Sequence, residues 1–180
     1  MSALQVDMRA IEADVARNIS LEEDAVVVFD GPIGSGRDVQ PAIGYVKTHR
    51  VAYLESDLSA VIPELEVGQR TPIFLIGEQF TRYTWYARLP MPSLAGNPWS
   101  GIIRCEASGD MKSSTAATLA DFSCTALPRF AAEPHKDPRA PQNLYPIAAL
   151  ERELQRRMGH RRYVERELRV AGWRHSGGLS

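Results

Sequence analysis

Apolar residues recur through 6–19 at spacings of three and four: Met8, Ile11, Val15 and Ile19. That period predicts a helix with one apolar face. Asn18, Ser20 and the acidic run Glu22–Asp24 break it. Ala25–Asp30 carries an unbroken Val-Val-Val-Phe, which predicts a central strand buried on both faces. Gly31–Gly36 reads as a loop, and Ile43–Tyr53 as a second strand or a pair of strands. Leu58–Leu65 predicts a short helix interrupted by Pro63. Thr71–Ile76, Tyr83–Leu89 and Gly101–Ala107 predict three more strands, the last two joined through Pro90–Pro98. Ser113–Leu127 predicts a helix capped by Ser113 or Ser114. Pro128–Pro141 is proline-rich and irregular. Pro146–Met158 and Arg161–Val170 predict two helices split at Gly159, and the residues from Trp173 onward are expected to fray. This order predicts an α/β domain built on one mixed sheet with flanking helices, spanning 1–172 ahead of a flexible tail, 173–180.

Composition supports a globular chain. Hydrophobic residues are 44% and charged residues 24% of 180, which excludes a wholly disordered chain or a collagen-like repeat. A domain of this length hides roughly 70% of its extended-chain surface. Apolar runs such as Val26–Phe29 and Ile73–Ile76 fall far short of the ~18 residues of a membrane span. No start pattern of a secretion signal is present, so a cytoplasmic protein without membrane association is expected. Cys105 and Cys124 lack metal-ligand spacing and read as free thiols.

Charge changes the picture at the C-terminus. From Glu151 onward eight arginines stand against four glutamates, while the rest of the chain has 13 basic and 18 acidic residues. A basic end on an acidic body fits a polyanion-facing element, or a solvated helix face laced with ion pairs. His135, Lys136 and Arg139, in the proline-braced stretch, are candidates for contact with a nucleic-acid backbone, as are Arg156, Arg157 and Arg161. Tyr83, Trp85 and Tyr86, with Arg82 and Arg88, read as a stacking platform for single strands or, more commonly, as core and cross-strand pairs.

Three carboxylates conflict with their positions. The spacing of Glu12 from Met8, Val15 and Ile19 puts it on the apolar face of its helix, where it needs a metal or an arginine partner. Asp30 ends the apolar strand and is followed by glycine; it suits a metal ligand or a turn cap. Glu151 lies on the Ile147, Leu154 and Met158 stripe. Converging carboxylates without a Cys or His cluster favour Mg²⁺ or Mn²⁺ over zinc. The loop Asp30–Asp38 looks like a phosphate-binding loop, but Arg37 and Asp38 stand where Lys and a hydroxyl residue are required, and no helix is predicted to open there. A nucleotide-binding enzyme using Gly31–Gly36 is therefore the weaker alternative.

Four stretches together resemble the NurA family of DNA-end-processing nucleases. They are Asp7-Met-Arg-Ala-Ile-Glu12, Val27-Val-Phe-Asp-Gly-Pro-Ile33, Gly44-Tyr-Val-Lys-Thr-His49 and Asn143-Leu-Tyr-Pro-Ile-Ala-Ala-Leu-Glu151. The stretch Glu133–Asn143 is similar to a bacterial branch of the family. The resemblance implies a ribonuclease-H-like core and an Mn²⁺- or Mg²⁺-dependent deoxyribonuclease. That enzyme would act at DNA ends in double-strand-break repair, as a homodimer with a HerA-type hexameric ATPase.

It also implies roles. Glu12 and Asp30 would be metal ligands, joined by Glu151 where the family offers a His. Lys47 would stabilise charge on the scissile phosphate, and Tyr145 would line the site. No segment before Glu12 reads as the strand bearing the family's first catalytic Asp. The chain is thus expected to represent the C-terminal part of the family fold, with Asp7, Asp14 and Glu106 as the acidic residues available to stand in. The alternative is a crippled module that binds DNA or the ATPase without cleaving.

Overall fold

The computed structural model describes residues 3–20, 25–47, 53–77, 80–90, 97–133 and 142–175. They fall into two compact units, Met1–Leu144 and Tyr145–Ser180. The first unit is α/β. Helix α1 spans Ala3–Ser20, strand β1 Val27–Asp30 and strand β2 Ala42–Val46. Helix α2, Ser56–Ser59, is followed by strands β3, Phe74–Ile76, β4, Arg82–Arg88, and β5, Ile102–Ser108, and by helix α3, Ser113–Phe130. Three-residue 3-10 turns occupy Gly34–Gly36 and Ile62–Glu64. The second unit holds α4, Tyr145–Met158, and α5, Arg161–His175, separated at Gly159 with φ of 77°.

The five strands form one mixed sheet in the order β1-β2-β5-β4-β3. β1 and β2 are parallel; β2–β5, β5–β4 and β4–β3 are antiparallel. Register aligns Phe29, Gly44, Glu106, Thr84 and Phe74 in one row across all five strands. Because side chains alternate along a strand, Tyr45, Cys105 and Trp85 belong to the opposite face. α3 covers that face: the Trp85 indole donates to Ser123 Oγ at 2.9 Å. The buried residues of α3, Ala116, Leu119, Ala120, Ser123 and Leu127, make one helical stripe. Cys105 is buried there and Cys124 half-buried, both free. On the row face, Phe29, Ala16, Ile33, Val39 and Ala42 make one core cluster, and Ile62, Leu65, Tyr86 and Ile102 another. No helix among the described residues is long and apolar enough to cross a membrane.

Several expectations change. β1 is an edge strand with Val28 exposed, not a central one, so only the face bearing Phe29 enters the core. α1 turns Ala13 and Ala16 inward, while Met8, Ile11, Val15 and Ile19 are exposed. Ala16 packs against Phe29, Ile33, Val39 and Ala42, so the helix meets the sheet and loop through small side chains. The N-cap of α3 is Lys112, in extended conformation and without a side-chain cap, rather than a serine. α5 continues to His175, into the segment expected to fray. β2 ends at Val46, and 48–52, the middle of the expected second strand, lie outside the described residues.

Gly44 shows how tightly loop and sheet meet. A Cβ there would stand 2.6 Å from the Ile33 amide nitrogen and 3.0 Å from the Gly31 carbonyl oxygen. Both neighbours are backbone and cannot swing aside. Gly44→Ala is expected to destabilise the fold by about 1–3 kcal/mol, the usual cost of overpacking. The readout is a lower urea midpoint with unchanged slope. An unchanged midpoint would mean that the loop does not bear on β2.

Candidate functional site

Asp30 is the last residue of β1, beside Tyr45 of the parallel β2. The chain then turns through Gly31 at φ of 132°, a backbone that disfavours side chains. The Gly31 amide is held by Phe29 O at 3.0 Å and Tyr45 O at 2.8 Å. The turn leaves the Asp30 carboxylate at the sheet edge. Lys47, one residue beyond β2, donates to both its oxygens, at 2.8 Å and 3.0 Å. The Lys47 ammonium also lies 5.9 Å from the Tyr45 ring centre.

Arg9 links this corner to α1. Its Nη1 donates to Glu12 Oε2 at 2.8 Å and, at 3.4 Å, to the carbonyl oxygen of Asp30. A Cβ on Gly31 would lie 3.0 Å from Arg9 Nη2, so the glycine admits the guanidinium. Glu12 does not face a core. With α1 rotated onto its alanines, the carboxylate reaches the rim and takes Arg9 as its partner. Two ion pairs, Arg9–Glu12 and Lys47–Asp30, are thus joined through the Asp30 carbonyl, with Glu12 and Asp30 side chains 45% and 43% exposed. Beside them an open groove of about 710 Å³ runs between α1 and the loop, lined by Val6, Arg9, Ala10, Ala13, Pro32 and Gly34 among others.

Beneath the loop lies a second cluster that the sequence reading did not assemble. Glu106, on β5, is fully buried. Its Oε1 accepts from Arg82 Nε at 3.0 Å and lies 2.9 Å from Arg104 Nη2. Its Oε2 accepts from the Ile33 amide at 3.1 Å. The sequence signal was the alternation Arg104-Cys-Glu106, which puts two opposite charges on one face of an otherwise apolar strand. Of the acidic residues considered as stand-ins, Glu106 is committed to this network, and Asp14 pairs with Arg17. Arg17 also binds Asp38 at 2.7 Å, tying α1 to the far side of the loop. That guanidinium holds the Asp38 carboxyl below its ordinary value of 3.8.

The other expected residues stand as follows. The loop is followed by a 3-10 turn and then by β2, so no helix N-terminus of the phosphate-binding kind opens there. Trp85 and Tyr86 are core and Tyr83 is half-buried, which favours packing over a stacking platform. His135, Lys136 and Arg139 lie outside the described residues, as does the side chain of Arg161. Tyr145 and Glu151 are half-buried on α4 of the second unit. On that helix Leu150, Leu154 and Met158 are exposed, so its apolar stripe does not become a buried face along that half. Arg156 and Arg157 both pair with Glu153, and on α5 Arg166 pairs with Glu167 and Arg169 with Glu165. Among the described residues no group of three or more His, Cys, Asp or Glu converges as a metal site. No known protein-family model matches the chain, and no curated protein matches it in sequence.

Two stability measurements follow. Glu106→Gln leaves the buried Arg104 and the largely buried Arg82 without their carboxylate and is expected to cost about 3–5 kcal/mol in chemical denaturation; a loss within error would remove the triad as the loop's anchor. Asp38 has a lowered carboxyl pKa in the fold, so its stabilising effect is complete above the ordinary range and is lost as pH falls below 3.8 through the lowered value. Between roughly pH 5 and pH 2 the wild type should therefore lose more stability than Asp38→Asn. Parallel pH profiles would show that Arg17 gives Asp38 no stabilising role.

Proposed function

We propose that this chain is a NurA-like, divalent-metal-dependent nuclease domain that hydrolyses phosphodiester bonds at DNA ends. One observation carries the reading: Glu12, Asp30 and Lys47, distant in sequence, share one corner of the first unit, with Arg9 bound to the Glu12 carboxylate and to the Asp30 backbone carbonyl. The donor set fits a hard cation. Both acidic groups offer carboxylate oxygens, both are solvent-reachable, and surface ion pairs of this kind are weak enough to exchange partners. Glu12 and Asp30 would hold Mg²⁺ or Mn²⁺, which when bound supplies an activated water and charge neutralisation.

The chain's own residues do the remaining work. Lys47 and Arg9 carry the two positive charges nearest the carboxylates, and in the reaction they donate to the oxygens of the scissile phosphate. The groove between α1 and the loop gives the adjoining nucleoside a place against Ala10 and Pro32. The five-stranded mixed sheet is compatible with a general α/β fold, and the ribonuclease-H-like core belongs to the proposal. The paired arginines of α4 and α5 hold the DNA backbone, and a HerA-type ATPase is the partner. The exposed stripe of Met8, Ile11, Val15 and Ile19 supports a second copy as a further partner.

A second reading has its own support. Arg9 and Lys47 already neutralise both carboxylates, the arrangement expected of a module that binds DNA or the ATPase without cutting. The two readings separate on end-labelled linear DNA incubated with Mn²⁺, Mg²⁺ or chelator. The nuclease reading expects metal-dependent cleavage that falls by about 100-fold or more in Asp30→Ala, the scale on which even supporting residues of metal sites act. Intact DNA in every lane, from a chain with wild-type circular dichroism, would leave the binding module.

A further inference from the structure

Three arginines and two aromatic rings alternate along the Glu106 face of the sheet. The Arg37 guanidinium lies 5.6 Å from the Phe80 ring centre, and Arg82 lies 5.2 Å from the same ring. Arg82 is 5.9 Å and Arg104 4.4 Å from the ring centre of Tyr53. The five side chains make a continuous ladder from the Gly-rich loop to the centre of the sheet. Its exposure is graded: Arg37 is exposed, Phe80 and Tyr53 are half-buried, the Arg82 side chain is 17% exposed and Arg104 is buried.

Among the described residues the ladder's charge does not balance. Glu106 is the carboxylate bound to Arg82 and Arg104, and Asp38, next to Arg37 in sequence, is taken by Arg17. At the inner end Arg104 Nε and the fully buried Thr84 hydroxyl have no hydrogen-bond partner among the described residues. Thr84 is the register partner of Glu106, so the unused hydroxyl lies in the same row as the triad. Excess guanidinium charge flanked by rings, with polar atoms left over, is the composition of surfaces that carry single strands: cations follow the phosphates and flat groups stack on bases.

We propose that the ladder Arg37–Phe80–Arg82–Tyr53–Arg104 is a track for single-stranded nucleic acid, entered at its exposed Arg37 end. Its place in a nuclease rests on the function proposed above: the Ile33 amide and Arg82 share the Glu106 carboxylate, so the loop leaving Asp30 and the track are fixed to one residue. Binding by the track does not require cleavage. Arg37 and Phe80 are the strand-facing members. Arg104 and Tyr53 hold the inner end in place.

The test is fluorescence anisotropy of the full chain with a labelled single-stranded DNA oligonucleotide in chelator, titrated at several salt concentrations. Arg37→Gln is expected to weaken binding about fivefold and to reduce the salt slope by about one. Phe80→Leu is expected to weaken binding while leaving the salt slope in place. Arg37 is exposed, so its variant tests the track even if Phe80→Leu fails to fold. Wild-type affinity and slope in Arg37→Gln would overturn the proposal. So would a wild-type chain that does not bind the oligonucleotide, or displacement of the oligonucleotide by inorganic phosphate alone, which would mark a simple phosphate pocket. If the track binds as expected and the wild type cleaves nothing with Mn²⁺ or Mg²⁺, the nuclease reading falls and the track stands.

Discussion

The buried carboxylate of Glu106 is the constraint on which the first unit depends. One oxygen faces two guanidinia, from Arg82 and Arg104, and the other receives the Ile33 amide. Burying a charge is tolerable only with full compensation, and here compensation comes from three elements at once. β4 and β5 are fixed side by side by Arg82 and Glu106. The Gly-rich loop is drawn down onto β2, which Gly44 permits because it has no side chain. Asp30 precedes that loop, so its position at the sheet edge follows from the same anchor. Thr84, Gly44 and Phe29 complete the row through which the anchor acts.

Packing of α1 is a consequence rather than an independent choice. Once the loop is pinned, Phe29, Ile33 and Val39 form a shallow apolar surface. A helix approaches such a surface most closely through small side chains, and Ala13 and Ala16 are the small residues on one side of α1. That choice exposes the larger apolar stripe and carries Arg9 over Gly31. Glu12, three residues on, then reaches Arg9 at the rim. Arg17, two turns beyond Arg9, closes the same interface from the other end through Asp38.

Much of this architecture was legible in the sequence. The positions of α1, the three strands of the meander, α3 and the two C-terminal helices follow from hydrophobic period and from glycine and proline breaks, and their centres agree with the structure. The face of α1 was not legible, because period alone weights the largest apolar residues. Which face is buried depends on how near the partner surface lies. The Val-Val-Val-Phe run suggested a central strand for the same reason: burial on both faces is a property of neighbours, and β1 has β2 on one side in the order of the sheet. Asp30 was legible as a strand-end residue, whereas Lys47 fell inside the expected Ile43–Tyr53 strand and was linked to Asp30 only through the family resemblance. The triad was not legible. Arg104 and Glu106 share a face by alternation along β5, but Arg82 meets them only through strand register, which no local spacing encodes.

The first unit therefore holds two charge clusters with different duties. Around Glu106 one arginine is buried and the other largely so, and removing the carboxylate leaves their charge uncompensated, so this cluster is a frame. Around Asp30 and Glu12 the partners are half exposed, and each exposed pair contributes about 0–1 kcal/mol, so exchanging Arg9 or Lys47 for another cation or for water changes stability little. A site that must take up and release a charged ligand needs the second kind of cluster held steady by the first. Position without exchange would give a rigid salt bridge, and exchange without position would give a mobile loop. The backbone from Asp30 to Ile33 supplies both: its first residue carries the exchangeable carboxylate, and its last is bound to the buried one.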